Sequence, residues 1–272
     1  MSDSVVRPTP GERRGTASRM DRGLTLGTAV AVGVALVPES RWLTVAGMVA
    51  LLVITVLACR RPSPAVLRAV LMSDLIVLLF SLYLFAGWPP ALVTTLFVVA
   101  PVAAGVVLHR LGRLRPVAPW LRWGRLSPPM IALFLATVVA SVAGLAVWAL
   151  VYKPDVSDYL GQLRDTTPWQ AFLAVAGFSV VNSAWEEMLF RGVLLTELLN
   201  TWGPRAALVI ESVSFGVSHA NGFPSGVVGV LMALAWGFVL GVIRMRTGGI
   251  GFPFAAHVVS NATIALLAYS YL

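Results

Sequence analysis

The sequence predicts an all-α fold, a polytopic transmembrane bundle of about 8–9 spans whose last four helices carry most of the intramembrane polar residues. Three observations lead there. The chain is 58% hydrophobic and only 12% charged, with a mean hydropathy of +0.84, whereas a soluble domain carries about 25% charged residues. Its apolar runs recur at close to the 20 residues that a bilayer crossing needs. Its basic residues fall in short clusters between those runs, as the positive-inside rule requires. That clustering also argues against reading the net charge of +8 as a nucleic-acid surface. Cys59 is the only cysteine, so no internal disulfide can form and no thiol cluster exists for a metal.

Residues 1–22 are polar and rich in Arg, Pro, Gly and Ser, the composition of a disordered basic tail. A short apolar run at 24–37 reads as the first span, because no small-x-small cleavage site follows it. Residues 23–152 form a first group of transmembrane helices, with further spans at about 42–59, 67–86, 91–108 and 128–152. Between the last two lies a basic connection, 109–126, with Arg110, Arg113, Arg115, Arg122 and Arg125 and with His109 at its start, expected at a solvated interface. The second group, 153–272, has apolar segments at about 169–199, 205–221, 224–243 and 250–271. The N-terminus, the 60–68 and 109–126 connections, the 200–205 turn and the turn with Arg244 and Arg246 fall on one side, which places a multi-pass protein in the cell membrane with its N-terminus in the cytoplasm.

The polar residues inside these spans carry the functional argument, since ionised groups in hydrocarbon are costly and mark sites. Glu186, Glu187 and Arg191 lie within one apolar run. On a helix Glu187 and Arg191 are four residues apart and can neutralise each other. Glu186 points about 100° away and is left to face a site. His219 closes a Phe215–His219 stretch, and His257 shares a helix face with Asn261. Glu186 and His219 each sit about 20 Å from the break at Asn200–Pro204, at matching depth in an antiparallel hairpin. His257 lies nearer its own turn, so Gly251-Phe252-Pro253 is expected to enter the membrane unwound. Gly229, Ala233, Gly237 and Gly241 form a stripe of small residues that lets helices approach closely. Two further acids sit in apolar surroundings. Asp74 reads as structural, and Glu211 reads either as a carboxylate held against His219 or as a partner for an Arg.

Taken together, Glu186-Glu187-Met-Leu-Phe-Arg191, Phe215-Gly-Val-Ser-His219 and His257-Val-Val-Ser-Asn261 resemble, in order, the three motifs of the CPBP intramembrane proteases, a family that includes CAAX prenyl endopeptidases and bacteriocin-processing and immunity proteins. The resemblance covers about 169–271 and implies a C-terminal four-helix catalytic core. It implies that Glu186 acts as the general base on a water, with His219 holding or polarising that water. It further implies that Glu187 and Arg191 lock the geometry, and that His257 and Asn261 donate to the oxyanion. The implied partners are a hydrophobic or lipidated peptide substrate and membrane lipid. A metal-free glutamate mechanism is the preferred expectation, because His-Glu-x-x-His spacing is absent. The alternative is a zinc held by Glu186, His219 and His257. Two other classes compete: a non-catalytic immunity or scaffold protein of the same fold, and a transporter or proton relay, against which the lack of an internal repeat counts.

Overall fold

The computed structural model describes residues 17–60, 63–86, 90–116, 119–153 and 166–270. All regular structure among them is helical. In chain order it comprises α1 (Arg19–Ala35), α2 (Arg41–Arg60), α3 (Pro64–Ala86), α4 (Pro90–Arg110), a short 3-10 turn, α5 (Pro128–Tyr152), α6 (Pro168–Glu186), a π-helical stretch (Glu187–Leu194), α7 (Leu195–Trp202), α8 (Pro204–Val217), α9 (Gly226–Thr247) and α10 (Gly251–Tyr269). Segment α6, the π stretch and α7 run on as one rod, since each junction residue keeps helical backbone angles. Counted so, nine helical rods appear among the described residues, and the expected polytopic bundle is borne out.

Among the described residues five helices are long and apolar enough to cross a membrane by themselves: α2, α3, α5, α9 and α10. Of the other rods, α1 and α8 are shorter, and the rod from α6 to α7 carries Glu186, Glu187, Arg191 and Glu197, which lowers its hydropathy. Helix α8 is the clearest case. Its 14 residues rise only about 21 Å, less than the roughly 30 Å of a hydrocarbon core. It stops at Val217, so His219 lies in the turn after the helix and not on it.

Local sequence explains where the rods begin. Ser18 caps α1, accepting from the Asp21 backbone N–H at 3.0 Å while the Asp21 carboxylate accepts from the Ser18 N–H at 3.3 Å, a capping box that satisfies two orphan donors. Residues 19–22, expected to belong to the tail, are therefore helical, and residues 1–16 lie outside the described residues. Thr167 caps α6 in the same way, with Pro168 opening the helix and Gln170 reaching back. The connection between α5 and α6, residues 154–165, lies outside the described residues.

Three further expectations are corrected. Gly251-Phe252-Pro253 does not unwind: α10 is helical from Gly251, and Pro253 sits in its first turn, where a missing N–H costs nothing. The chain that runs non-helically against the bundle is instead 119–127. There the Arg125 N–H donates to Thr247 O at 2.8 Å, and the Ile250 and Gly251 N–H groups donate to Trp120 O and Arg122 O at 3.1 and 3.2 Å. Trp120 anchors this segment in the core. Its ring lies where a Cβ on Gly192 would come within 2.8 Å of it, so glycine in the π stretch is what admits the indole. His109 is likewise not simply solvated: it packs edge-on against Trp120 at 4.8 Å and bonds through Nδ1 to Gly105 O at 2.7 Å.

The third correction concerns Arg68, assigned above to a basic connection. It lies within α3, 4% exposed, with its Nη2 donating to Glu197 Oε2 on α7 at 2.7 Å and its Nη1 to Arg115 O at 3.4 Å. Asn200 donates to the same Glu197 oxygen at 3.1 Å. This ion pair ties the first group of helices to the rod that carries Glu186, while Ser214 of α8, donating to Ala29 O at 2.6 Å, ties α8 to α1. Asp74, as expected, is structural, accepting from Thr55 on α2 at 2.7 Å.

Removing one partner of a buried ion pair costs about 3–5 kcal/mol, whereas replacing both with apolar groups is often near neutral. Arg68→Met or Glu197→Leu alone is therefore expected to lower the thermal-unfolding midpoint of the detergent-solubilised protein, and the double substitution to recover most of the loss.

Candidate active site

The three sequence motifs converge on one polar cluster. Glu187 and Arg191 pair at 3.1 Å, both fully buried, as their spacing predicts. Between them the rod widens: the Leu195 N–H bonds back five residues to Phe190 O instead of four. Single π turns inside α-helices are frequent at functional sites because they re-aim side chains without breaking the helix. Arg191 is met from the other side by Glu211 of α8 at 3.3 Å, also fully buried. Of the two readings open for Glu211, the Arg partner is the one observed. The guanidinium also lies 4.1 Å from the Phe215 ring centroid. Gly237 on α9 leaves the room: a Cβ there would stand 3.3 Å from Arg191 Nη2 and 3.1 Å from Phe215. The small-residue stripe thus serves the approach of α9 to the charge cluster.

His257 joins the two carboxylates. Its Nδ1 lies 2.7 Å from Glu187 Oε1 and its Nε2 3.3 Å from Glu186 Oε2. Glu186 is consequently not turned freely into an open site. It is 5% exposed, stands behind His257, and takes a hydrogen bond from Asn182 Nδ2 on Oε1 at 2.8 Å. Its Oε2 has no hydrogen-bond partner among the described residues. Asn261 donates through Nδ2 to Ser183 Oγ at 3.0 Å. Asn182 and Ser183, one turn before Glu186 and Glu187, were missed by sequence reasoning. The signal was present as i,i+4 spacing, but an uncharged Asn or Ser in a membrane helix can find many partners, and its own is fixed only by packing.

His219 stands close enough to Glu186, His257 and Arg191 to feel their charges, but its own hydrogen bonds among the described residues are local. Its Nδ1 lies 2.8 Å from Phe215 O and 3.1 Å from Ser218 Oγ. Donation to a carbonyl places the ring proton on Nδ1 and leaves Nε2 with a lone pair. His219, His257 and Asn261 share the wall of a cavity of about 470 Å³, closed by α5 and by Phe223, Met232 and Trp236, and otherwise lined almost wholly by apolar side chains. Ser141 of α5 meets Ser260 of α10 at 3.0 Å on its edge.

This arrangement offers a carboxylate oxygen, two imidazoles and a carboxamide beside a cavity of substrate size. It is less suited to a metal. Among the described residues no group of three His, Cys, Asp or Glu side chains is placed to hold an ion, and His257 has a carboxylate at each ring nitrogen. The zinc set Glu186, His219 and His257 does not fit as the side chains stand.

Glu211 holds Arg191 across two helices, and its loss leaves a buried guanidinium with one carboxylate fewer, at about 3–5 kcal/mol. Glu211→Ala is expected to lower the unfolding midpoint far more than Asp74→Asn, which touches a half-buried group with one hydrogen bond.

Residues 168–263 match the family described as Rce1-like: Type II CAAX prenyl endopeptidase Rce1-like. No curated protein and no solved structure matches the chain. The matched stretch opens at the N-terminus of α6 and closes past Asn261, so it contains all six motif residues and all the helices that position them. The resemblance carried by the three motifs is borne out: residues 168–263 are similar to the Rce1-like family, which supports a CPBP-type intramembrane protease.

Proposed function

We propose that the chain is an intramembrane endopeptidase that hydrolyses a peptide bond of a hydrophobic or lipidated substrate without a metal. The observation that carries this reading is the joining of Glu186 and Glu187 through His257 at the wall of an apolar cavity. In the proposed sequence Glu186 Oε2 takes a proton from water, and the hydroxide so formed attacks the scissile carbonyl carbon. Nε2 of His219, with its lone pair free, orients that water. The second N–H of Asn261 and the Nε2 side of His257 receive the tetrahedral oxyanion, whose stabilisation by preorganised donors is worth about 3–4 kcal/mol per donor in a dry site. Glu186 then returns its proton to the departing nitrogen, the C–N bond breaks, and a carboxylic acid and an amine result.

In this scheme Glu187, Arg191 and Glu211 position rather than react. They fix the rod rotation that presents Glu186, and they counter one another's charge so that the cluster can stay buried. The front cavity supports an apolar substrate, because its walls offer few polar partners beyond the motif residues. That no group of three His, Cys, Asp or Glu side chains among the described residues is placed to hold an ion also supports the metal-free route.

Loss of a positioned general base costs about 10²–10⁴ in rate. Glu186→Gln is expected to abolish cleavage of a quenched hydrophobic peptide library by detergent-purified, folded protein, while a chelator leaves wild-type cleavage unchanged. Cleavage that survives Glu186→Gln would refute the assignment, and cleavage abolished by the chelator would restore the zinc set.

A further inference from the structure

Glu187 borders a second cavity, which shares no lining residue with the first. It measures about 360 Å³ and lies between the 119–127 segment, α6 and α10, with Arg122 and Trp123 at its rim and Ala184, Gly251 and Phe254 along its walls. At its inner end stands Glu187, fully buried, whose Oε1 serves both His257 and Arg191 while Oε2 has no hydrogen-bond partner among the described residues. An orphaned carboxylate oxygen is costly when dry. The outer end is polar and open: Arg122 is exposed and Trp123 is 66% exposed.

We infer that this cavity is a water-entry vestibule, which feeds the carboxylate cluster by a path separate from the substrate cavity. The inference rests on the hydrolase reading for its purpose. Peptide hydrolysis consumes one water for each bond, R–CO–NH–R′ plus H₂O giving an acid and an amine. An apolar substrate seated against His219, His257 and Asn261 expels water from the front cavity, so the reactant must arrive by another path. The second cavity has the dimensions for it. Its volume of about 360 Å³ leaves room for several waters. His257 lies six residues along α10 from Gly251, about 9 Å, a distance spanned by about three hydrogen-bonded waters. The walls of the cavity are mostly apolar, so the polar partners for water are the charged groups that border it, Arg122 at the exposed end and Glu187 at the buried one. The 119–127 segment, docked by its backbone onto Thr247–Gly251, forms the outer wall and sets the width of the entrance.

A cysteine reacts as its thiolate, which forms in water and not against lipid, so its rate of alkylation reports hydration. Full-length protein in nanodiscs, with Cys59→Ser to remove the native thiol, would carry Ala184→Cys or Phe254→Cys in the cavity, Trp123→Cys at the rim or Val139→Cys on the lipid-facing side of α5. Iodoacetamide modification is followed by mass spectrometry. Both cavity positions are expected to react within about tenfold of the rim and at least about tenfold faster than Val139→Cys. If both react no faster than Val139→Cys, the cavity is dry and the proposal is overturned, whatever the protein cleaves. Filling the cavity with Ala184→Phe is then expected to lower kcat at least about tenfold, the scale of a missing positioned reactant, with KM unchanged. An unchanged kcat in a folded variant would show that this water does not supply the reaction. The labelling arm needs no cleavage, so failure of the hydrolase reading is seen separately.

Discussion

The structure depends on how it buries charge. Arg191 lies fully buried between Glu187, on its own rod, and Glu211, on α8, with the Phe215 ring against its guanidinium and Gly237 of α9 leaving the space. A lone guanidinium at that depth would cost several kcal/mol, and each carboxylate alone as much, so the groups are tolerated only as a set. The set spans three helices and His257 adds a fourth, α10. Its demands fix the rotation of each helix. A rod turned by one residue would move its carboxylate about 100° away and strand a charge. This is how a reactive cluster in an apolar bundle obtains a defined geometry: the penalty for every other arrangement is electrostatic, and apolar packing alone could not impose it.

Around that cluster the bundle divides its labour. Helices α1 and α3 contribute no motif residue, yet they hold the candidate site: Ser214 bonds to Ala29, and Glu197 to Arg68. Two charged groups are thus committed to joining the N-terminal helices to the site-bearing rod, at the level where the π stretch has already returned to α-helix. The 119–127 segment performs a similar service for α10, clasping its first turn by backbone hydrogen bonds and pinning Trp120 beside Gly192. Elements with no motif residues therefore determine how precisely the motif residues stand, and first-turn contacts at Gly251 act directly on the register of His257.

Two cavities with no lining residue in common meet this cluster, one almost wholly apolar and bordered by His219, His257 and Asn261, the other reaching Glu187 from a basic rim. His257 sits at the boundary, with one ring nitrogen toward each carboxylate.

The sequence alone determined what local chemistry determines. Composition and the spacing of apolar runs specified an all-helical membrane bundle, because no soluble core could absorb so little charge. The i,i+4 rule specified the Glu187–Arg191 pair, and the order of three short motifs specified which residues belong together. What it could not decide were contacts between residues distant in the chain, whose partners are chosen by helix packing. Arg68 read as one more basic residue in a connection until α7 brought Glu197 to it. Glu211 had two readings until α8 turned toward Arg191. Asn182 and Ser183 acquired meaning only beside Glu186 and Asn261. Glu186 was expected to face the site freely, and the fold instead set it behind His257. The π stretch was invisible for a related reason. An extra residue per turn is paid for by tertiary packing, here by Trp120 against Gly192, and no local propensity announces it.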